Sequence, residues 1–314
     1  MLRSGFGAKG SKSISSMQGG KSTSVDLAGG PDKVIRTLGG SDIKGWFDAT
    51  DIRLSEIANN SDVSIWHDKG PDGQNVTQAT AGAKPHYIHD GLNGRPVLRS
   101  DGTDDVMIST GQVDWSSVTS VFILFKKGDD DDNRGPFASE VDSSLPAPRA
   151  FFGIAASTSL GTNRLRAEVF GRTSDNFRID HYFHTSGDAS DIPPTITNVR
   201  DAYMLSYHEW QINSGVADAG AFTLKSYNKE AVSEVSVSSI DNEDTSNILA
   251  SDATTMASDG FDTTEIQLFK NIHNPGFLNG DIAFALFSNR HYNLKERQKI
   301  LKAIQQRFGN SNIN

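Results

Sequence analysis

The sequence has no cysteine in its 314 residues, which excludes disulfides, thiolate metal sites and cysteine nucleophiles. Long apolar runs are also missing. Even with glycine counted as apolar, the stretch 150–156 ends after about seven residues, whereas a membrane-spanning helix needs about 18. Residues 1–7 are not followed by an apolar segment, so no secretory signal is expected. Insertion into a membrane is therefore not expected.

Basic residues are outnumbered, with 30 Lys and Arg against 39 Asp and Glu and a net charge of −9. A nucleic-acid partner is not expected, because such partners require a basic face. Only 36% of residues are hydrophobic and 29 are glycine, which indicates a loop-rich β protein rather than a helical one. The length is sufficient for one large β-sandwich or for two average domains.

Residues 1–40 differ from the rest because they are rich in glycine and serine and carry a formal charge of +4, which leaves −13 on residues 41–314. The charged residues of this segment are Arg3, Lys9, Lys12, Lys21, Lys33 and Arg36 against Asp26 and Asp32. Its apolar surface is too small to offset the entropy of ordering, which predicts an extended arm. Two interpretations stay open: a flexible tail, or an arm that docks onto a neighbouring subunit.

From Ile43 onward, short apolar segments alternate with polar turns, a pattern typical of β-strands. In one of them Phe222, Leu224 and Ser226 share one face of the predicted strand. The segment Val121–Phe125 is apolar at every position, as expected for a strand that is buried on both faces. At least nine such segments with little helix predict an all-β antiparallel sandwich.

One amphipathic helix is predicted at the C-terminal end, over residues 293–308. Asn293 is a good N-cap, and Glu296 three residues later completes a capping box. Apolar residues then recur at near-helical spacing up to Phe308, and Gly309 suits the position after the helix. Such a helix is expected to pack across an edge of a sheet or across its ends.

The segment from Trp46 to Met107 carries the most specific motifs: G-W-F-D-A-T-D, then W-H-D-K-G-P-D-G-Q-N-V-T-Q, then G-L-N-G-R-P-V-L-R-S-D-G-T-D-D. These motifs resemble the opening of concanavalin A-like (laminin-G-like) lectin/glucanase modules of bacterial surface proteins and phage virion proteins. The matching residues are Trp46, Asp48, Ala49, Asp51, Trp66, Asp68, Gly73, Thr77, Gln78, Pro85, Gly91, Asn93, Gly94, Arg95, Pro96, Val97, Asp101, Gly102, Asp104 and Asp105.

The resemblance implies a jelly-roll β-sandwich over residues 41–314, closed by the strand near residues 280–290 and by the C-terminal helix. The sequence departs from the family pattern at Lys84, at Ser100 and at Gly70-Pro71-Asp72-Gly73, which affects turn detail more than the fold. Asn93-Gly94 and Asp101-Gly102 are typical turn pairs. The motif residues are therefore interpreted as mainly architectural.

The family includes β-glucanases, in which two carboxylates flank the scissile bond. The segment most similar to the catalytic motif of these enzymes is Glu140-Val141-Asp142. It lacks the second glutamate that would act as general acid, and Pro146 follows soon after it. The pairs His86/His89 and His181/His184 are interpreted as surface histidines, because residues three apart in a strand face opposite sides. The chain is thus predicted not to be an enzyme, with a glycoside hydrolase as the alternative.

Two ligand questions stay open in the sequence. Asp129, Asp131, Asn133 and Glu140 fall at calcium-ligand positions of an EF-hand-like count, but Arg134 replaces the glycine of the sharp turn. The alternative is a solvated acidic loop without any cofactor. For carbohydrate, the aromatic residues outside the motif that could stack on sugars are Trp115, Trp210, Tyr182, Tyr203 and Tyr207, and no carbohydrate-binding residue is assigned.

The resemblance favours a non-enzymatic structural protein of a bacteriophage virion, in a tail, fibre or head-decoration role. Residues 1–40 would dock onto other virion proteins, and the jelly roll would face outward and bind host glycan. The protein is then expected to be a homo-oligomer, located in the virion after assembly in the host cytoplasm. The alternatives are a glycan-binding or β-glucan-hydrolysing module of a bacterial surface, and an adhesive module with a protein ligand.

Overall fold

The computed structural model describes residues 30–116, 118–128, 134–140, 149–157, 164–172, 177–184, 203–212, 222–228, 263–271, 276–309 and 313. Two α-helices lie near the two ends of this part of the chain, α1 (Pro31–Gly39) and α2 (Leu294–Phe308). Short 3-10 turns cover Gly40–Asp42 and Ile52–Leu54. Within the described part, no helix combines the length and the apolar character needed to cross a membrane.

Strands are numbered in chain order, and eight of them form the first sheet, in the order β14-β13-β8-β16-β6-β5-β2, with β1 also paired to β16. They are β1 (Ile43–Asp48), β2 (Ser61–Asp62), β5 (His86–Leu92), β6 (Arg95–Asp101), β8 (Val118–Lys127), β13 (Tyr203–Ile212), β14 (Phe222–Asn228) and β16 (Asn279–Ser288). Because β16 pairs with β8, β6 and β1, it lies at the centre of this sheet.

The second sheet has the order β12-β11-β10-β9-β15-β7-β4-β3. Its strands are β3 (Ile65–Trp66), β4 (Val76–Thr77), β7 (Met107–Ser109), β9 (Arg134–Glu140), β10 (Arg149–Ser157), β11 (Arg164–Arg172), β12 (Phe177–His184) and β15 (Glu265–Leu268). All neighbouring strands of both sheets pair antiparallel. The prediction of an all-β antiparallel sandwich is confirmed.

The main core lies between the two sheets, and strand β8 shows how it is built. Val121, Ile123 and Phe125 contribute to this core, whereas Phe122 and Leu124 of the same strand contribute to a second core on the opposite face of the sheet. The two helices cover that second face. Strand β8 is therefore buried on both faces, as its uninterrupted apolar sequence predicts.

Helix α2 begins where the capping box predicts. The Asn293 side chain accepts a hydrogen bond from the Glu296 N–H at 3.1 Å, and the Glu296 carboxylate accepts one from the Asn293 N–H at 2.9 Å. The buried face of the helix includes Ile300, Ile304 and Phe308, which pack in the second core. The predicted C-terminal helix is confirmed, but it packs on a face of the first sheet rather than across an edge or an end.

Helix α1 differs from the extended arm predicted for residues 1–40. Pro31 occupies the first turn, where its missing N–H costs nothing, and Ile35 is buried in the second core against α2. Residues 31–39 therefore belong to the packed structure rather than to an arm. Residues 1–29 lie outside the described part of the chain, so an arm formed by them stays a prediction.

Candidate functional site

The first two family motifs meet at the end of strand β1. Asp68, which follows β3, accepts hydrogen bonds from the backbone N–H groups of Trp46 and Gly70, each at 2.7 Å, and from that of Gln74 at 2.9 Å. Burial raises the pKa of Asp68 even though these hydrogen bonds favour its charged form. Asp68 thus fixes the loop 68–75 against β1.

A network of four charged side chains joins both helices to this loop; it is called the ion-pair network below. Lys69 Nζ lies 3.0 Å from Asp32 of α1 and 3.1 Å from Asp48 of β1, and Arg307 of α2 forms ion pairs with both carboxylates. The Asp48 side chain is fully buried, and the other three are 12–14% exposed. Thr50 donates from its N–H and its hydroxyl to the second Asp48 oxygen.

Asp51 and Arg53 form a separate pair beside this network. The Arg53 guanidinium donates to Asp51 Oδ2 from Nε at 3.0 Å and from Nη2 at 2.5 Å, and Nη2 also reaches the Asp68 carbonyl at 3.2 Å. Burial alone would raise the pKa of Asp51, but the hydrogen bonds and charge of Arg53, with the charge of Lys69, lower it. Asp51 is therefore held as a carboxylate.

An open cleft of about 350 Å³, called the polar cleft below, lies beside these residues, and several of them line it. Its walls come from helix α1, from the turn that follows β1 and from the loop after β3, and its lining residues are Asp32, Arg36, Thr50, Asp51, Arg53, Asp68 and Lys69. The motif of residues 46–107 thus supplies both the architecture of this region and part of the wall of the cleft. The motif residues could be identified in the sequence, whereas the contribution of α1 could not.

Trp46 of the motif lies beneath the cleft residues and is fully buried. The Arg36 guanidinium carbon lies 5.0 Å from the centroid of its ring, and Lys69 Nζ lies 4.7 Å from it. Within the described part of the chain, its indole Nε1 is buried without a hydrogen-bond partner. Trp46 therefore supports the two cations of the cleft but offers no open face to a ligand.

Four of the five aromatic residues proposed for sugar stacking are buried and therefore not available for it. Trp115, Trp210, Tyr203 and Tyr207 are all at most 5% exposed, and the Trp115 indole N–H donates to the Thr264 hydroxyl at 2.8 Å. Tyr182 lies in strand β12, and its side chain is outside the described residues. Carbohydrate binding in the described part would therefore depend on polar groups.

The calcium candidates fall largely outside the described residues. Asp129, Asp131 and Asn133 are not described, and Glu140 ends strand β9 with an undescribed side chain, so the calcium prediction stays untested. Another acidic group, Asp101, Asp104 and Asp105, has carboxylate oxygens within 4.8 Å of one another. There Asp105 accepts the Asp101 N–H at 2.9 Å and closes the turn between β6 and β7.

The histidine pairs do not form a metal site in the described residues. His86 Nε2 lies 3.1 Å from Asp62, whereas His89 Nε2 contacts the Ile57 carbonyl at 2.8 Å. The two side chains thus bind different partners and are both exposed, as predicted. His181 and His184 lie in β12 with side chains outside the described part.

No protein-family model and no curated protein sequence matches this chain. Several solved structures have a similar fold. Domain 4 of AbnA, a GH43 extracellular arabinanase from Geobacillus stearothermophilus, solved in complex with arabinotriose, has 12% identity and a TM-score of 0.44 over 83% of this chain and 98% of that domain. An arabinofuranosidase complexed with arabinofuranosyl-α-1,2-xylobiose has 10% identity and a TM-score of 0.49 over 88% of this chain and 64% of that one.

The receptor binding domain of botulinum neurotoxin D is a third similar structure, with 11% identity and a TM-score of 0.40. The match covers 84% of this chain and 53% of that one, so this chain spans about half the length of the neurotoxin chain. With identities of 10–12% and TM-scores below 0.5, these similarities say nothing about the family or the function of this chain. The concanavalin A-like superfamily and the phage type therefore stay predictions.

The prediction that the chain is not an enzyme was wrong, because glycoside hydrolases are among the similar structures and catalytic activity is not excluded. The similar structures include glycoside hydrolases, the arabinofuranosidase and a sialidase from Trypanosoma rangeli that has 10% identity and a TM-score of 0.35 over 86% of this chain and 34% of that one. A missing glutamate after Glu140-Val141-Asp142 argues against one catalytic arrangement only. The fold leaves catalytic activity open.

Proposed function

We propose that this chain is a carbohydrate-binding β-sandwich of a bacteriophage virion and that the polar cleft holds the carbohydrate. The cleft itself is the observation that carries the proposal. Its volume of about 350 Å³ lies in the range of about 300–1,000 Å³ that is typical of small-molecule sites. The resemblance of residues 46–107 to lectin-like modules of virion and surface proteins supports the same class of function.

The cleft offers hydrogen-bonding groups that are already held in place. Arg53 is fixed by two hydrogen bonds from its guanidinium to Asp51 Oδ2, and Lys69 is fixed by two carboxylates of the ion-pair network. Fixed groups lose less conformational entropy when a ligand binds, so they contribute more to affinity. The hydroxyl groups of a sugar are suitable partners for them, because each hydroxyl can accept from an N–H donor.

A glycan array probed with the full chain tests the binding function, followed by titration of the best oligosaccharide. The change of Arg53 to glutamine is expected to weaken binding about tenfold, since a charge-assisted hydrogen bond contributes about 1.5–3 kcal/mol. Arg95→Gln is the matched control, because Arg95 is also exposed but does not line the cleft. Equal affinities of the two variants, or an array without any bound glycan, would contradict the proposal.

The virion role depends on residues 1–29, which carry a formal charge of +3. We propose that this segment docks the sandwich, as a homo-oligomer, onto acidic surfaces of other virion proteins, where opposite charge favours association. Helix α1 is packed against α2, so a deletion designed to leave the sandwich intact stops before Pro31.

Deleting residues 2–29 is expected to remove the protein from particles of the phage that encodes it, while the thermal unfolding midpoint stays unchanged. Immunoblots of purified particles measure incorporation, and calorimetry measures folding. Full incorporation of the shortened chain would contradict the docking role. Binding of the purified chain to bacterial cell walls, without any association with particles, would instead favour the bacterial surface module.

A further inference from the structure

We infer that the carbohydrate recognised by the polar cleft carries a carboxylate and that Arg36 is the residue that binds it. This inference rests on the proposed function, because it names the chemical class of the ligand for the same cleft. The inference depends on a difference between the hydrogen-bonding groups of the cleft. The carboxylate acceptors already bind protein groups, whereas several N–H donors have no hydrogen-bond partner among the described residues.

The three carboxylates that line the cleft have protein partners on every oxygen. Asp51 Oδ1 accepts the Arg53 N–H at 3.0 Å, and Oδ2 accepts two guanidinium N–H groups. Both oxygens of Asp68 accept backbone N–H groups at 2.7–2.9 Å. The two oxygens of Asp32 contact the two cations of the ion-pair network. These acceptors therefore offer little to the hydroxyl protons of a neutral sugar.

Several N–H donors of the cleft, by contrast, make no hydrogen bond with the described part of the protein. Arg36 is exposed, and within the described part of the chain its guanidinium makes no hydrogen bond or ion pair. Its contact is with the Trp46 ring, at 5.0 Å from the centroid, which leaves its five N–H groups available. Arg53 uses Nε and Nη2 for its protein contacts, so its Nη1 group is a second donor with capacity for a ligand.

A carboxylate matches this distribution, because it is an acceptor without protons and binds a guanidinium through two parallel hydrogen bonds. The sugars with this chemistry are uronic acids and sialic acids. A neutral oligosaccharide would leave the Arg36 charge without a partner.

The test compares matched acidic and neutral oligosaccharides on the full chain: 3′-sialyllactose with lactose, and trigalacturonate with its methyl ester. Isothermal titration is expected to show at least one acidic member bound about tenfold more tightly than its neutral partner, with an affinity that falls as salt is added. Arg36→Gln is expected to remove this preference. Lys33→Gln serves as control, because Lys33 is exposed on the same helix but does not line the cleft.

Arg36→Lys provides a second variant with the charge kept but the two-pronged geometry lost, and an intermediate affinity is expected. Equal affinity for acidic and neutral members, with binding still lost in Arg53→Gln, would overturn the inference and leave the proposed function standing. An acid preference that survives Arg36→Gln would overturn the assignment of Arg36. An array without any bound glycan would overturn the proposed function itself.

Discussion

Replacing Asp48 by asparagine is expected to lower the free energy of unfolding by about 3–5 kcal/mol, the usual cost of removing one partner from a buried ion pair. The Asp48 side chain is fully buried and contacts both Lys69 and Arg307. Asparagine has the same shape and can still accept from Thr50, but it cannot neutralise the two cations. Asp32 would remain as their only carboxylate within the network.

Urea unfolding followed by tryptophan fluorescence measures this loss. Asp72→Asn is the matched control: Asp72 pairs with Lys44 at 3.2 Å with its side chain 37% exposed, and exposed pairs contribute only about 0–1 kcal/mol. A double-mutant cycle with Lys69→Met then isolates the coupling between Asp48 and Lys69. Equal destabilisation by Asp48→Asn and Asp72→Asn would show that the network does not hold the helices to the sandwich.

The sandwich could be predicted because the local sequence of its strands shows which of them are buried. Strand β8 is apolar at consecutive positions and is buried on both faces, and helix α2 begins at its capping box. Both signals involve residues only a few positions apart. Such short-range patterns are readable without knowledge of the tertiary structure.

Helix α1 was missed because its local signals are weak. It has nine residues, is flanked by glycines and follows a segment that is rich in glycine and serine. A helix of this length is marginal on its own, and its stability comes from packing against α2. The available signal was Pro31 at the first turn followed by Ile35 and Leu38, three residues apart and both packed in the second core.

The ion-pair network could not be predicted because its members are distant in sequence. Asp32 and Arg307 form an ion pair although they are 275 positions apart. The sequence also did not show whether the aromatic residues are exposed. Tyr203 and Tyr207 alternate along β13, but both helices cover that face of the sheet. Alternation identifies which residues share a face, and only the tertiary structure shows whether that face meets solvent.

Phe287→Ala is expected to cost about 3–5 kcal/mol of unfolding free energy, because truncating a buried phenylalanine removes apolar contacts and leaves a cavity. Phe287 lies in the central strand β16, and its ring centroid is 4.6 Å from that of Phe137 in the opposite sheet. Its ring centroid also lies 6.2 Å from that of Phe47 and 6.3 Å from that of Trp115. The ring therefore joins the two sheets at the middle of the sandwich.

The same urea titration measures this effect, and Ile65→Ala is the control, because Ile65 is 44% exposed and its truncation should cost less than about 1 kcal/mol. Phe287→Leu fills most of the space and is expected to fall between the two. A loss below about 1 kcal/mol for Phe287→Ala would contradict a close-packed interface between the sheets. The expected order reflects how much buried side chain each change removes: most in Phe287→Ala, less in Phe287→Leu and least in Ile65→Ala.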